Sequence, residues 1–263
     1  MSTYETLGIS EHSEFVCVVT LSRPQAANSL NTQMSKDLVH FFEATALAPG
    51  ALRCIVLTGM GTSAFCAGGD LKERLDMTDS TWMRQHAVFE RMARALLACP
   101  IPILAAVNGA AYGGGCEIAA ACDFIYAAET ARFALPEVTL GIMPGAGGTQ
   151  NLPRAIGQRR AKELILTGKP FSAQQALDWG LVNQIYPSIE LLPAAIEAAS
   201  VIAANAPTSI RQAKQAIDRG IQMSIWDGLA FEIQAYNRTT STEDRHEGVR
   251  AFNEKRKPVF KGI

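Results

Sequence analysis

Apolar residues along the chain fall into two regimes. Up to about residue 195, short uninterrupted apolar runs alternate with stretches of helical period, and beyond it only the helical period remains. Residues 15–21 (FVCVVTL) and 54–58 (CIVLT) are continuous and rich in β-branched side chains, as buried strands are. Between them, residues 32–46 space their apolar positions as an amphipathic helix. The rhythm returns with a strand over 103–107, a helix beginning in 113–121, a strand over 124–126, a short strand at Phe133 and a helix near Gly148. Such alternation predicts an α/β body over 1–195 built from repeated ββα-like units. The region 196–263 reads as helical, continuing a helix over 190–205. Further helices are expected over 209–219 with Thr208 as N-cap and Gly220 past the end, over 225–238, and over 243–256 behind Thr242 as cap. Their apolar stripes must be buried against the body or against a second subunit.

Residues 101–128 are almost all apolar or small and exceed the ~20 residues of a membrane-spanning helix. Pro100, Pro102, the Gly113-Gly114-Gly115 run, Glu117 and Asp123 divide them instead into a strand, a turn and a short helix buried in protein. At 48% hydrophobic and 19% charged, the chain has the composition of a packed globular protein. Lys+Arg 24 against Asp+Glu 25 leaves a net charge of -1, so no basic field gathers nucleic acid, and a small-molecule partner is expected. The six cysteines, at 17, 54, 66, 99, 116 and 122, include no Cys-x-x-Cys spacing and read as reduced core thiols. Residues 1–10 carry neither the blocks of a secretory leader nor the arginine of a transit peptide, which predicts a cytoplasmic location.

Chemistry is suggested first by glycine. Gly113-Gly114-Gly115-Cys116-Glu117 falls between a buried strand and an Ala-rich helix, where bare backbone N–H groups near a helix start suit an oxyanion. A tight turn needing positive φ is the competing explanation. Glu117 shifts the balance, because an acid in an apolar segment is costly to bury without purpose. Cys66-Ala67-Gly68-Gly69-Asp70 offers a second set of unencumbered donors, and two such turns can face one ester or thioester oxygen. Glu137, after Pro136, sits amid apolar neighbours, but taken alone such a residue is more often an ordinary surface acid. Gly59-Met60-Gly61-Thr62-Ser63-Ala64 meets the loose dinucleotide pattern, yet a second glycine turn follows where that fold wants a helix. Histidines 12, 40, 86 and 246 are scattered without metal spacing, and neither a G-x-S-x-G elbow nor a phosphate loop ending in Gly-Lys-Ser/Thr occurs.

In these residues the chain resembles the crotonase, or enoyl-CoA hydratase/isomerase, superfamily. The segment Ala64-Phe65-Cys66-Ala67-Gly68-Gly69-Asp70-Leu71-Lys72 is similar to the family's first oxyanion segment, and Asn108-Gly109 through Glu117 to its second. Leu135-Pro136-Glu137 through Gly147-Gly148-Thr149-Gln150 is similar to its second acid region, with likeness running from about Phe15 to Gly262. Leu152-Pro153-Arg154-Ala155-Ile156-Gly157 and Lys162-Glu163-Leu164 look closest to the methylglutaconyl-CoA hydratases, one of which also binds AU-rich RNA.

The resemblance implies a spiral of ββα turns as catalytic core and a C-terminal helical region that forms homotrimers, often paired into hexamers. It implies that Gly69 and Gly114 N–H groups hold the thioester carbonyl of an acyl-CoA. Glu117 and Glu137 would then add water across the double bond of a trans-2-enoyl-CoA. No metal or cofactor is implied, CoA being part of the substrate. CoA contacts carry over to Ala26, Ala67, Asp70, Leu71, Lys72, Phe252 and Lys255. Gln25 stands where relatives often have a basic residue, and the stretch 34–53 holds only Lys36 and Arg53 as cations, so RNA binding is not carried over. An isomerase, needing one acid, and a non-enzymatic RNA-binding or scaffold protein are the alternatives. A methylglutaconyl substrate would need a cation for its free carboxylate, for which Lys72, Arg74, Arg84 and Arg91 are candidates.

Overall fold

The computed structural model describes residues 4–263; residues 1–3, where the segment read for a leader begins, lie outside them. A hairpin of β1 (Leu7–Ser13) and β2 (Val16–Leu21) leads into α1 (Thr32–Leu47). A repeating unit follows: β3 (Cys54–Gly59), β4 (Ala64–Cys66), α2 (Leu71–Arg74) and α3 (Asp79–Leu97). The next turn of chain is β5 (Ile103–Val107), β6 (Ala110–Tyr112) and α4 (Gly114–Ala121). A further one is β7 (Phe124–Ala128), β8 (Arg132–Ala134), a 3-10 turn over Glu137–Leu140, α5 (Gly148–Ile156) and α6 (Gln158–Thr167). The chain closes with β9 (Phe171–Ser172), α7 (Ala173–Asp178), β10 (Gln184–Tyr186) and the helices α8 (Ser188–Ala203), α9 (Pro207–Gly220), α10 (Ile225–Thr240) and α11 (Glu243–Asn253).

Each repeat sends its first strand to one sheet and its second to another, which is what winds the chain into a spiral. The larger sheet runs β1-β2-β3-β5-β7-β10 and the smaller β4-β6-β8-β9. Both are parallel except at the outer pairs β1–β2 and β8–β9. Every residue of β3 and β5 is buried, as expected of parallel strands covered on both faces. One cover is α8, which lays Leu191, Ala195, Ala199 and Ala203, four residues apart, on the sheet. Alanine there lets helix and sheet approach closely. Burial pushes the thiols of Cys17, Cys54 and Cys66 up to about 12, so these cysteines act as apolar filler, while Cys122 is only half-buried.

The expected strands at 54–58, 103–107 and 124–126 and the helix at 32–46 stand where the pattern put them. Several details differ. The sequence LGISEHS forms β1, an edge strand whose far end is exposed and which therefore lacks an apolar run. The helix expected behind Thr208 begins at Pro207 with Ala206 as N-cap, because proline fits the first helical position with its φ already fixed. Gly220 is that helix's last residue. The 195/196 position falls inside α8, whose inner face packs on the larger sheet. The dinucleotide-like run joins β3 to β4: a Cβ at Gly59 would lie 2.5 Å from the Ala64 and Phe65 carbonyl oxygens.

The tail is tied to the body by Arg53, which donates to the Ala203 carbonyl at 3.0 Å and to the Phe260 carbonyl at 2.8 Å. Asp244, buried at 2% exposure, accepts the Lys261 and Gly262 N–H groups at 2.7 and 2.9 Å and folds the terminus onto α11. Along α10, Ile225, Trp226, Leu229, Ile233 and Tyr236 stay exposed in the single chain.

The closest approach at a glycine is between the end of β4 and the first turn of α4. A Cβ at Gly115 would lie 2.0 Å from the Cys66 carbonyl oxygen, a distance no methyl group tolerates. Gly115→Ala is therefore expected to destabilise the fold by about 1–3 kcal/mol or more, read as a lowered denaturant midpoint. An unchanged midpoint would show that the turn yields freely.

Candidate active site

After β4 the chain keeps an extended course. Leu30 N–H donates to Gly68 O at 2.7 Å and Asp70 N–H to Leu30 O at 2.9 Å, so Leu30 pairs with Gly69 as in a parallel ladder. In that arrangement the Gly69 N–H itself points to the opposite side. Asp70 then caps α2 by accepting from the N–H groups of Lys72 and Glu73, and its other oxygen meets Arg23 at 2.8 Å. Burial is the largest single effect and raises its pKa, but Arg23 and these N–H groups together outweigh it and hold the carboxyl below the usual carboxylate range. Asn28 braces the turn from behind, donating to the Met60 and Ala64 carbonyls at 2.9 Å.

The second turn lies alongside. Gly113 N–H donates to Ala134 O at 2.9 Å and extends the smaller sheet by one residue. Its φ of 51° and ψ of -123° suit glycine alone, and they swing the chain into α4. Gly114 is the first residue of α4, so its N–H has no partner within the helix. A Cβ built on Gly114 would stand 4.0 Å from Gly69 N, and one on Gly68 would stand 3.3 Å from Gly114 N. The two peptide N–H groups thus converge, and neither has an acceptor among the described residues.

Glu117 lies in the first turn of α4, 3% exposed. Its Oε1 accepts the N–H groups of Ala146 and Gly148, both at 2.8 Å, which fixes the carboxyl against the start of α5. Burial raises its pKa, and the two N–H groups oppose that rise. Glu137 opens the 3-10 turn after β8, with Oε1 3.1 Å from where a Cβ on Gly113 would be. Its Oε2 is buried without a hydrogen-bond partner. Burial and then the charge of Glu117 push the Glu137 carboxyl up to about 7.

Gly69, Gly114, Glu117 and Glu137 line one cavity of about 630 Å³, together with Ala67 and Leu71. Two convergent donors can hold an oxygen that gains negative charge, and two carboxyls with raised pKa can exchange protons beside it. Among the other expected contacts, Ala26 is next to Ala27, whose carbonyl accepts the Ala67 N–H at 3.0 Å, and Lys72 is exposed on α2. Phe252 lies in the last turn of α11 and Lys255 two residues past its end, outside the helix expected over 243–256, and neither lines the cavity of its own chain. Of the candidate cations, Arg91 pairs with Glu43 at 2.7 Å and Arg84 is exposed on α3, whereas Arg74 lines the cavity. Residues that pattern reading passed over also line it: Trp82, His86 and Phe89, spaced along one face of α3. Their helical spacing was the available signal. The backbone of Ala146 and Gly148 left no side-chain signal beyond the glycine-rich run 145–148.

The family profile described as enoyl-CoA hydratase/isomerase matches residues 11–263. YngF of Bacillus subtilis, whose name places it among the enoyl-CoA hydratase/isomerases, is 46% identical over 251 residues, covering 95% of this chain and 96% of its own. The 2,3-dehydroadipyl-CoA hydratase of Escherichia coli is 41% identical, with 97% of this chain and 98% of the relative covered. A crystal structure of an enoyl-CoA hydratase from Bacillus anthracis superposes with a TM-score of 0.96 at 43% identity, covering 98% of this chain and all of that one (100%). With its two-sheet spiral, its facing glycine turns and likeness over nearly its whole length, the chain belongs to the enoyl-CoA hydratase/isomerase family.

Proposed function

We propose that the protein is an enoyl-CoA hydratase, adding water reversibly to the double bond of a trans-2-enoyl-CoA thioester. The observation that carries this is the convergence of two unpartnered N–H groups and two buried acids on one cavity. The thioester oxygen sits between Gly69 N–H and Gly114 N–H, where the dipole of α4 adds to the pull on electron density. Polarisation of the carbonyl makes C3 electrophilic. Glu117, ionised and fixed through Oε1 by Ala146 and Gly148, takes a proton from water as its oxygen bonds to C3. Glu137, protonated, gives a proton to C2 as the enolate collapses. Return of the Glu117 proton to Glu137 restores the resting pair. The reverse reaction begins with Glu137 ionised and Glu117 protonated, and the pair titrates as coupled groups.

Ala26, Ala67, Leu71 and Lys72 form the CoA side of this site, with Asp70 holding the turn that carries them. Assembly as a homotrimer or homohexamer belongs to the same proposal, since it would cover the apolar face of α10 and bring Phe252 and Lys255 to a neighbouring subunit's ligand. A cytoplasmic setting suits six unpaired cysteines, and among the described residues no single helix is long and apolar enough to cross a membrane. A branched or 3-methylglutaconyl acyl group belongs to the same proposal, on the segments 152–157 and 162–164 of the sequence. An isomerase needs one acid where this cavity has a pair.

Glu117→Gln and Glu137→Gln each remove an acid-base group and little volume. Either is expected to lower the hydration rate of crotonyl-CoA at least about 100-fold while acyl-CoA still binds. Near-normal turnover would remove that residue from the mechanism, and a Glu137→Gln variant that lost hydration but kept double-bond migration would favour the isomerase.

A carboxyl near 7 keeps its proton below that pH and loses it above. Hydration uses the protonated Glu137, so its kcat/KM is expected to fall about tenfold per pH unit above 7. Dehydration of a 3-hydroxyacyl-CoA starts from the same singly protonated pair, with the proton on Glu117, and its kcat/KM is expected to fall in parallel, because the hydration equilibrium involves no net proton. The check is a pair of pH profiles followed by enoyl absorbance; a wild-type kcat/KM that stayed level from about pH 7 to 9 would contradict the assignment of Glu137.

A further inference from the structure

The cavity is lined largely by apolar residues, Leu140, Ile142 and Met143 among them, yet one guanidinium stands in it. Arg74 is the last residue of α2, and its side chain is held from two directions. Trp82 and Phe89 offer it their ring faces at 4.3 and 4.9 Å. Gln85, buried on the same helix, accepts from Arg74 Nε at 2.7 Å. The orientation of Gln85 is itself set: its amide nitrogen donates to Glu73 Oε2 at 2.7 Å and to Thr32 Oγ1 at 2.9 Å. Glu73 Oε2 also accepts the Thr32 N–H at 2.9 Å, so this carboxylate positions Gln85 and makes no hydrogen bond to Arg74.

What remains of Arg74 is a pair of terminal nitrogens, Nη1 and Nη2, with no acceptor and no carboxylate partner among the described residues. They lie beside the oxyanion turn: a Cβ built on Gly69 would be 3.1 Å from Nη1 and 3.6 Å from Nη2. Burial pulls this guanidinium below its ordinary pKa, opposed by the charge of neighbouring Glu73, which makes no hydrogen bond to it. A half-buried cation without an anion is unfavourable, whereas a planar fork with both prongs free matches a carboxylate in two parallel hydrogen bonds. His86 lies between Trp82 and Phe89 along α3 and fills the space where a side chain at Gly145 would go, 2.4 Å from its Cε1. Its ring nitrogens also have no partner among the described residues, which leaves a second donor in the same cavity.

We propose that Arg74 is the specificity residue for a carboxylate at the far end of the acyl chain, so that the preferred substrates are CoA monothioesters of short unsaturated dicarboxylic acids. This rests on the hydratase reading for its chemistry but not for its binding. The thioester goes to Gly69 and Gly114, the double bond to Glu117 and Glu137, and the distal carboxylate to the Arg74 fork. A neutral chain of equal length leaves the fork unpaired, and the discrimination arises from that difference.

The test compares chains matched in carbon number: glutaconyl-CoA with trans-2-pentenoyl-CoA, and 2,3-dehydroadipyl-CoA with trans-2-hexenoyl-CoA. Wild type is expected to show a kcat/KM for the carboxylated member at least about tenfold above its neutral partner in one pair or both. Arg74→Met is expected to lower that ratio at least about 30-fold, with Arg74→Lys between the two because it keeps the charge and loses the fork. A ratio is insensitive to a general loss of folded enzyme. A wild-type ratio below one in both pairs, or a ratio unchanged in Arg74→Met, would overturn the assignment. Calorimetric binding of adipyl-CoA against hexanoyl-CoA keeps the two levels apart. Tighter adipyl-CoA binding that is lost in Arg74→Met upholds the subsite even in a protein that hydrates none of the four substrates, and equal binding overturns it.

Discussion

The parallel pairing of β4 with β6 is the constraint on which the site depends. It sets Ala64 opposite Ala110 and Cys66 opposite Ala111, so the two turns that follow these strands leave the sheet side by side. Backbone then meets backbone at distances that exclude side chains. A Cβ at Gly109 would lie 2.4 Å from the Ser63 carbonyl oxygen, one at Gly68 2.7 Å from that of Tyr112, and one at Gly115 2.0 Å from that of Cys66. The glycines are the condition for this approach, and two converging N–H groups are its result. Because the donors are held by sheet and helix, they need no rearrangement as charge develops on a ligand oxygen.

The same geometry divides the work of the two acids by environment. Glu117 is the more buried, yet two backbone N–H groups on one oxygen favour its ionised form. Glu137 has a buried oxygen with no partner and the charge of Glu117 nearby, and both conditions favour its protonated form. Burial raises both carboxyls, and only on Glu117 do two backbone N–H groups oppose the rise, an asymmetry that suits one acid to act as base and the other as proton donor. The Glu73–Gln85–Arg74 chain places a third charge, of the other sign, in the same cavity beside Gly69.

Strands with an uninterrupted apolar run, such as 54–58 and 103–107, were legible because burial on both faces of a parallel sheet leaves that mark. The edge strand β1 and the two-residue β9 were not, since a strand that is half-exposed or very short has too few buried positions to set a period. The four central residues of the site were legible as glycine runs and acids out of place, and the family resemblance gave them roles. What could not be read was which charges face the cavity. Lys72, Arg74, Arg84 and Arg91 are equivalent in sequence, and only the folding of α2 against α3 turns Arg74 inward and Arg91 toward Glu43. Asp70 shows the converse: a residue expected at the ligand is also engaged as helix cap and ion pair.

The most direct measurement of the central claim is the vibrational frequency of the thioester carbonyl itself. A crotonyl-CoA labelled with ¹³C at the thioester carbon, bound to the doubly substituted Glu117→Gln, Glu137→Gln protein to prevent turnover, isolates that one stretch in an infrared difference spectrum. Two fixed N–H donors on the oxygen predict a band shifted below its position in water, since they polarise the carbonyl more strongly than solvent does. A band at or above the aqueous position would mean that the oxygen does not lie between Gly69 and Gly114, and the account of the site would fail there.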